Sequence, residues 1–214
     1  MTEAEKQVQW LEGWLVDPPP HAVYGEQWGK VTDPPMCGVF AHLCDHLALE
    51  PRTVVEIGPG GGRWTREIAS RLNPHAKLIL VDGTDAARPM LDNMLGHPFD
   101  LIVSKDGNLS EIPNCSVDLL FSFDTFVHFG STLFLKYMRE IYRIMRPGGR
   151  LMLHYAQRWD HPNVVADPTN CFIPPNVFAL DILANYFTLG ISGAQIPIPR
   201  GFGSMFVSVT RNGG

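Results

Sequence analysis

The stretch whose residue types and spacing most directly imply chemistry is Val54-Val55-Glu56-Ile57-Gly58-Pro59-Gly60-Gly61-Gly62-Arg63-Trp64-Thr65. It reads as a buried strand rich in β-branched residues, a glycine loop, and the start of a helix near Trp64. Glycine lets backbone approach a ligand where a Cβ would clash, and it tolerates positive φ. The following helix offers unpaired N–H groups at its N-terminus. A strand–loop–helix turn of this kind builds a nucleotide site at the carboxyl end of a parallel sheet.

The spacing selects among nucleotides. A dinucleotide fingerprint places its third glycine six positions along, for close helix–strand packing, and here that position is Arg63. The chain has instead G-x-G-x-G from Gly58 through Gly60 to Gly62, preceded by Glu56. Lys77 to Asp82 is a second apolar run ending in an acid. Asp106-Gly107 follows the apolar run Leu101-Ile102-Val103. Val117 to Asp124 reads as a fourth strand, and Arg146-Pro147-Gly148-Gly149-Arg150 turns into a fifth.

In that order, these motifs resemble the class I S-adenosylmethionine (SAM)-dependent methyltransferases over roughly residues 50 to 156. The resemblance implies a Rossmann-like α/β fold: a mostly parallel seven-stranded sheet, an antiparallel C-terminal strand, and helices on both faces. It implies SAM as cofactor, held by Glu56, Gly58, Gly60, Gly62, Asp82, Asp106, Gly107 and Asp124. Asp82 would take the ribose hydroxyls, since a carboxylate accepts two hydrogen bonds, and Asp106 would face the adenine amino group. Asp124 would contact the cofactor's amino group or the acceptor.

Methyl transfer from a sulfonium needs an oriented acceptor and, for a hydroxyl, removal of a proton. In the family that proton leaves near the ends of strands four and five. His128, in Phe123-Asp124-Thr125-Phe126-Val127-His128, is the candidate catalytic base. The stretch resembles a subset with F-D-x-F-V-H, several members of which act on sugars or natural products. His154, in strand five, is the alternative base or a pocket-lining residue. Asp124, His128, His154, Asp160 and His161 are metal-compatible types, but their spacing matches no ligand motif, so no metal is expected. Arg63 is a cation at a helix N-terminus, unfavourable by itself. It is expected to pair with Glu67 four residues on, or else to reach the cofactor carboxylate.

These residues need elements to position them. The 214 residues, 45% of them hydrophobic, suit a single domain. In it a helical N-terminal segment (1–50) and an acceptor segment with C-terminal strands (157–214) flank the SAM core (51–156). Strands are expected at 53–57, 77–82, 100–104, 117–123, 150–156 and about 203–211. Helices are expected at 4–16, 36–49, 64–72, 86–95, 131–145 and 176–186. The stripe Phe134, Tyr137, Met138, Ile141, Tyr142, Met145 marks the core face of the fifth of these helices. Proline-rich stretches at 17–35 and 157–176 are expected to bound the acceptor pocket.

A net charge of −5 with 17 scattered basic residues disfavours nucleic acid as partner, leaving a small-molecule acceptor. The absence of an apolar leader or an 18-residue apolar run argues for a cytoplasmic protein without a membrane span. Cys37, Cys44, Cys115 and Cys171 form no C-x-x-C. Cys37 and Cys44, seven apart, are expected on one buried helix face. The expectation is therefore an O-methyltransferase acting on a sugar or natural product. The alternatives are a non-catalytic SAM-binding protein or a nicotinamide-dependent Rossmann oxidoreductase.

Overall fold

β-Branched and apolar runs form the strands at the centre of the molecule. The computed structural model describes residues 9, 30–34, 36–156, 187–188, 196–198 and 204–211. The expected helix at 176–186 and the stretch 157–176 lie outside the described residues, as do all of the expected helix 4–16 but residue 9 and most of the stretch 17–35. The strands are β1 (Thr53–Ile57), β2 (Lys77–Asp82), β3 (Phe99–Val103), β4 (Val117–Ser122), β5 (Met145–Ala156), β6 (Phe187–Thr188), β7 (Ile196–Ile198) and β8 (Ser204–Arg211). The helices are α1 (Met36–Leu47), α2 (Arg63–Ala69), α3 (Arg88–Met94) and α4 (Ser131–Ile144), with a 3₁₀ turn at Phe126–His128.

The strands form one sheet in the order β3-β2-β1-β4-β5-β8-β6, with β7 also on β8. β1 to β5 run parallel, and β8 is antiparallel to β5, β6 and β7. The expected seven strands become eight. β5 takes one edge of β8 from Ser204 to Thr210. On the other edge β6 pairs near Arg211 and β7 near Phe206, so two short strands fill the outermost rank. From β1 the chain winds out to β2 and β3, then crosses back to β4 and β5. The crevice where the winding reverses lies between β1 and β4, at their carboxyl ends, where open α/β sheets bind ligands.

Side chains along a strand alternate between faces. Val55, Ile57, Ile79, Val81, Leu120, Leu151 and Leu153 pack with Phe134, Tyr137, Met138, Ile141 and Ile144 of α4. Val54, Leu78, Leu80, Leu119, Phe121 and Met152 pack under α1, α2 and α3. Each such side chain, fully buried, contributes roughly 1.5–3 kcal/mol relative to exposure. The same period of two puts Glu56, Asp82 and His154 on the α1–α3 face.

Two local expectations are corrected. The buried stripe of α1 is Met36, Val39, Leu43 and Leu47. Cys37 and Cys44 stand one residue off that stripe, about 100° round the helix, so Cys37 is exposed and Cys44 half-buried, both as free thiols. β5 begins at Met145 rather than 150. Val117 pairs with Met145 and Leu119 with Arg150, so the Arg146–Gly149 turn is an excursion within the strand. Gly149 is held there because a Cβ would lie 2.9 Å from the carbonyls of Arg146 and Val117.

Candidate functional site

The glycine loop leaves β1 with Gly58, Gly60 and Gly62 all at positive φ, but the three face different surroundings. A Cβ on Gly58 would lie 1.9 Å from Thr125 Oγ1, and one on Gly62 would lie 2.2 Å from Met94 Cε. Among the described residues, nothing lies within 4 Å of a Cβ on Gly60. Gly58 and Gly62 are therefore glycine for packing, and Gly60 presents bare backbone to open space.

Asp82, the last residue of β2, faces this loop. Its Oδ2 accepts the Gly60 N–H at 3.3 Å and its Oδ1 the Gly83 N–H at 2.6 Å. Burial pushes its carboxyl up to about 6, against the backbone N–H groups of Gly60, Gly83 and Thr84, which favour the ionised form. Glu56 is buried beneath the loop on the same face. Burial pushes it up to about 8; Thr65 and Arg63 act to lower it and the Asp82 charge to raise it. Glu56 Oε2 and Thr65 Oγ1 are each buried without a hydrogen bond among the described residues, so Thr65 helps by proximity rather than through a formed bond. Unmet polar atoms of this kind are costly unless something fills the space.

β3 adds the third acid. The Ser104 N–H bonds the Asp82 carbonyl at 2.8 Å, which brings the following loop to the same end of the sheet. Asp106 is exposed there, its Oδ1 capping the Asn108 N–H at 3.1 Å. A Cβ on Gly107, which takes φ 84, would lie 3.2–3.3 Å from Lys136 and Tyr137 of α4, so its absent side chain is explained by the helix.

The turn after β4 closes the crevice. The Thr125 hydroxyl reaches the Gly58 carbonyl at 3.4 Å, tying this turn to the glycine loop. The buried Ser122 hydroxyl donates to the Ile57 carbonyl at 2.8 Å, tying β4 to β1 one step earlier. His128 ends the 3₁₀ turn half-buried, its N–H on the Thr125 carbonyl at 3.0 Å. Asp124 takes φ 59. Its Oδ2 lies 3.3 Å from Arg63 Nη2, and its Oδ1 lies 3.1 Å from His154 Nδ1.

The expected pairing of Arg63 with Glu67 is corrected. Glu67 binds Arg71 at 2.7 Å and Arg66 at 3.3 Å. The Arg63 guanidinium lies inward instead, over Trp64 and Phe123 at 5.8 and 5.6 Å. Buried there, it requires a nearby carboxylate, and Asp124 supplies one from 61 residues away. Sequence reasoning also missed the link from Asp124 to His154. The signal was present in the alternation of β5, which places His154 on the same face as Glu56 and Asp82.

The structure thus brings Glu56, Gly60, Asp82, Asp106, Asp124 and His128 to one end of the sheet, around the β1–β4 crevice. Asp82 and the Arg63-paired Asp124 line it with carboxylate oxygens, and Glu56 beneath the loop holds its proton up to about 8. Open backbone lies at Gly60, and unmet polar atoms lie below it. Those features suit a ligand with a cationic portion and hydroxyls, as SAM has. No group of three or more metal-ligating side chains occurs among the described residues.

Residues 54–149 match the family model described as a methyltransferase domain. No curated protein matches the chain. Among solved structures, the chain is similar to the N-methyltransferase NodS from Bradyrhizobium japonicum WM9 in complex with S-adenosylhomocysteine. The TM-score is 0.68 at 16% identity, covering 96% of this chain and 98% of that one. It is also similar to the Burkholderia thailandensis 1,6-didemethyltoxoflavin-N1-methyltransferase bound to its substrate and S-adenosylhomocysteine, with TM-score 0.64, 17% identity, and 100% and 92% coverage. A third is a putative methyltransferase from Haloferax volcanii in complex with the Trm112 activator, with TM-score 0.67, 15% identity, and 95% and 98% coverage.

Proposed function

We propose that this chain is a class I SAM-dependent methyltransferase, supported by the methyltransferase-domain match over residues 54–149, and that it methylates a hydroxyl of a small molecule, of the sugar or natural-product class, in the cytoplasm. The observation that carries the reading is the placement of His128. It ends a turn that Thr125 anchors against the glycine loop, beside the crevice where the donor belongs. SAM supplies an electrophilic methyl on a sulfonium. The chain's part is to hold donor and acceptor in line and to take the acceptor's proton. Gly60 would let the backbone approach the donor, Asp82 would accept from its ribose hydroxyls, and Asp106 would face its adenine. Glu56, buried beneath the loop, would ionise to offset its positive charge. Asp124 is already neutralised by Arg63 and is a poor base, which leaves the proton to His128. The match of Phe123 to His128 to the F-D-x-F-V-H subset supports the sugar or natural-product class. The free thiols of Cys37, Cys44 and Cys115 fit a reducing compartment. No helix among the described residues is long and apolar enough to cross a membrane.

A screen of small-molecule acceptors with methyl-labelled SAM tests the activity. Titration with SAM, S-adenosylhomocysteine and NAD separates it from a nicotinamide enzyme, and a chain that binds SAM but turns over no acceptor would be a binding protein. On the acceptor found, His128→Ala should lower turnover by about 10²–10⁴ with SAM affinity intact. A loss under tenfold would make His128 a packing residue. That result would favour a second reading, transfer to nitrogen, for which two of the similar structures are named; a neutral amine acceptor would need no strong base.

A further inference from the structure

We propose that His154 is a positioning residue: from β5 it fixes Asp124, and with it the turn that carries Thr125 and His128, in the arrangement the site requires. The inference rests on the site reading above. It starts from backbone strain. Asp124 is one of three described non-glycine residues at positive φ; the other two, Glu50 and Cys115, sit in loops at the amino ends of β1 and β4. Asp124 alone of them lies at the carboxyl end of the sheet. Such a conformation persists where surrounding contacts over-determine it, and it clusters at functional sites.

Those contacts converge on His154. The Asp124 N–H donates to His154 Nδ1 at 3.1 Å. A ring nitrogen that accepts carries no proton, which places the ring hydrogen on Nε2; Asp124 Oδ1 stands 3.1 Å from the same nitrogen. Arg63 draws the other carboxylate oxygen, Oδ2, towards α2. The residue is thus held by its amide from β5 and by its side chain from α2. Thr125, the next residue, lies against Gly58, so the turn, the glycine loop, α2 and β5 meet at Asp124.

The imidazole is an expensive choice at this position. His154 is 2% exposed and stacks on Phe123 with centroids 4.4 Å apart. Its Nε2 is buried with no hydrogen-bond partner among the described residues. Met152, two residues earlier on the same face, fills its place with an apolar side chain. A leucine would do the same at 154 without stranding a polar nitrogen. What the ring adds over leucine is the acceptor for the Asp124 amide. Sealed from solvent, His154 acts through Asp124 rather than on a ligand.

The test uses S-adenosylhomocysteine as probe in calorimetric titration of the full chain. His154→Leu should weaken binding roughly tenfold or more. His154→Asn, whose amide oxygen can accept where Nδ1 does, should stay within about threefold of wild type. In an Asp124→Ala background, His154→Leu should have little further effect, since the two residues act as one unit. Wild-type affinity in His154→Leu overturns the proposal, and so does a penalty that persists undiminished beside Asp124→Ala, the mark of general packing. Should His154→Leu fail to fold, the ¹⁵N spectrum of the wild-type ring decides. A proton on Nε2 with bare Nδ1 supports the contact, and a proton on Nδ1 overturns it. A wild-type chain that binds neither SAM nor S-adenosylhomocysteine overturns the site reading itself, a result distinct from every variant outcome.

Discussion

Glu56 and Asp82 are buried carboxyl groups that hold protons more tightly in the folded chain than outside it, Glu56 up to about 8 and Asp82 up to about 6. Both values lie above the unfolded 4.5 and 3.8. The stability these groups favour is therefore present in full below the unfolded values. It is lost as pH rises through about 6 for Asp82 and about 8 for Glu56. Urea unfolding of the ligand-free protein between pH 5 and 8 should show falling stability with rising pH. Glu56→Gln should flatten the curve by an amount on the order of a few kcal/mol. A wild-type curve that rises across this window, or a Glu56→Gln curve parallel to it, would sink the assignment. Asp82 carries a second expectation. Its two oxygens already accept N–H bonds from Gly60 and Gly83, an arrangement ready for hydroxyl donors. Asp82→Ala should weaken SAM binding by about 1.5–3 kcal/mol. Unchanged affinity in a folded variant would remove Asp82 from the ribose.

The elements that hold these residues differ in how they use glycine, and that difference is measurable. Gly60 faces open space at φ 49, so an added methyl meets only the left-handed penalty of about 1–2 kcal/mol. Gly62→Ala would carry that penalty and also push into Met94 and Leu91, for about 2–4 kcal/mol together. Gly60→Ala should therefore melt near wild type yet bind SAM at least about tenfold more weakly, whereas Gly62→Ala should lose stability first. The reverse order would show that the open side of the loop faces no ligand. Much of this scale was legible in the sequence. Val54, Val55 and Ile57 marked β1, the acid-ended run marked β2, and the stripe from Phe134 to Met145 lies in or against the core, Met145 as the first residue of β5, because local periodicity decides it. Long-range partners were not legible. Arg63 finds Asp124 rather than Glu67 because the fold buries the guanidinium. The start of β5 and the split outer rank of the sheet depend on pairing with β4 and β8, which no local pattern encodes.

At the scale of the whole molecule, the two proline-rich stretches are constrained by where they join the described fold. β5 ends at Ala156, two residues past the His154 that contacts Asp124, so the chain leaves β5 at the carboxyl edge of the sheet. On the other side, Val31 is buried in the same apolar cluster as α1 and Trp64, so the stretch before α1 reaches the face that holds Glu56. From these two attachments we propose that residues 17–35 and 157–176 flank the acceptor. Arg158, Trp159 and Phe172 give trypsin and chymotrypsin cleavage points in the second stretch, and Lys30 gives one in the first. Cleavage follows the population of open forms when reclosing is fast. A ligand that binds only the closed arrangement lowers that population by the factor 1 + [L]/Kd. Saturating S-adenosylhomocysteine should therefore slow cutting at these points, and adding the acceptor should slow it further. Equal cutting in all three states would leave the sheet and its crevice standing but would separate both stretches from the acceptor.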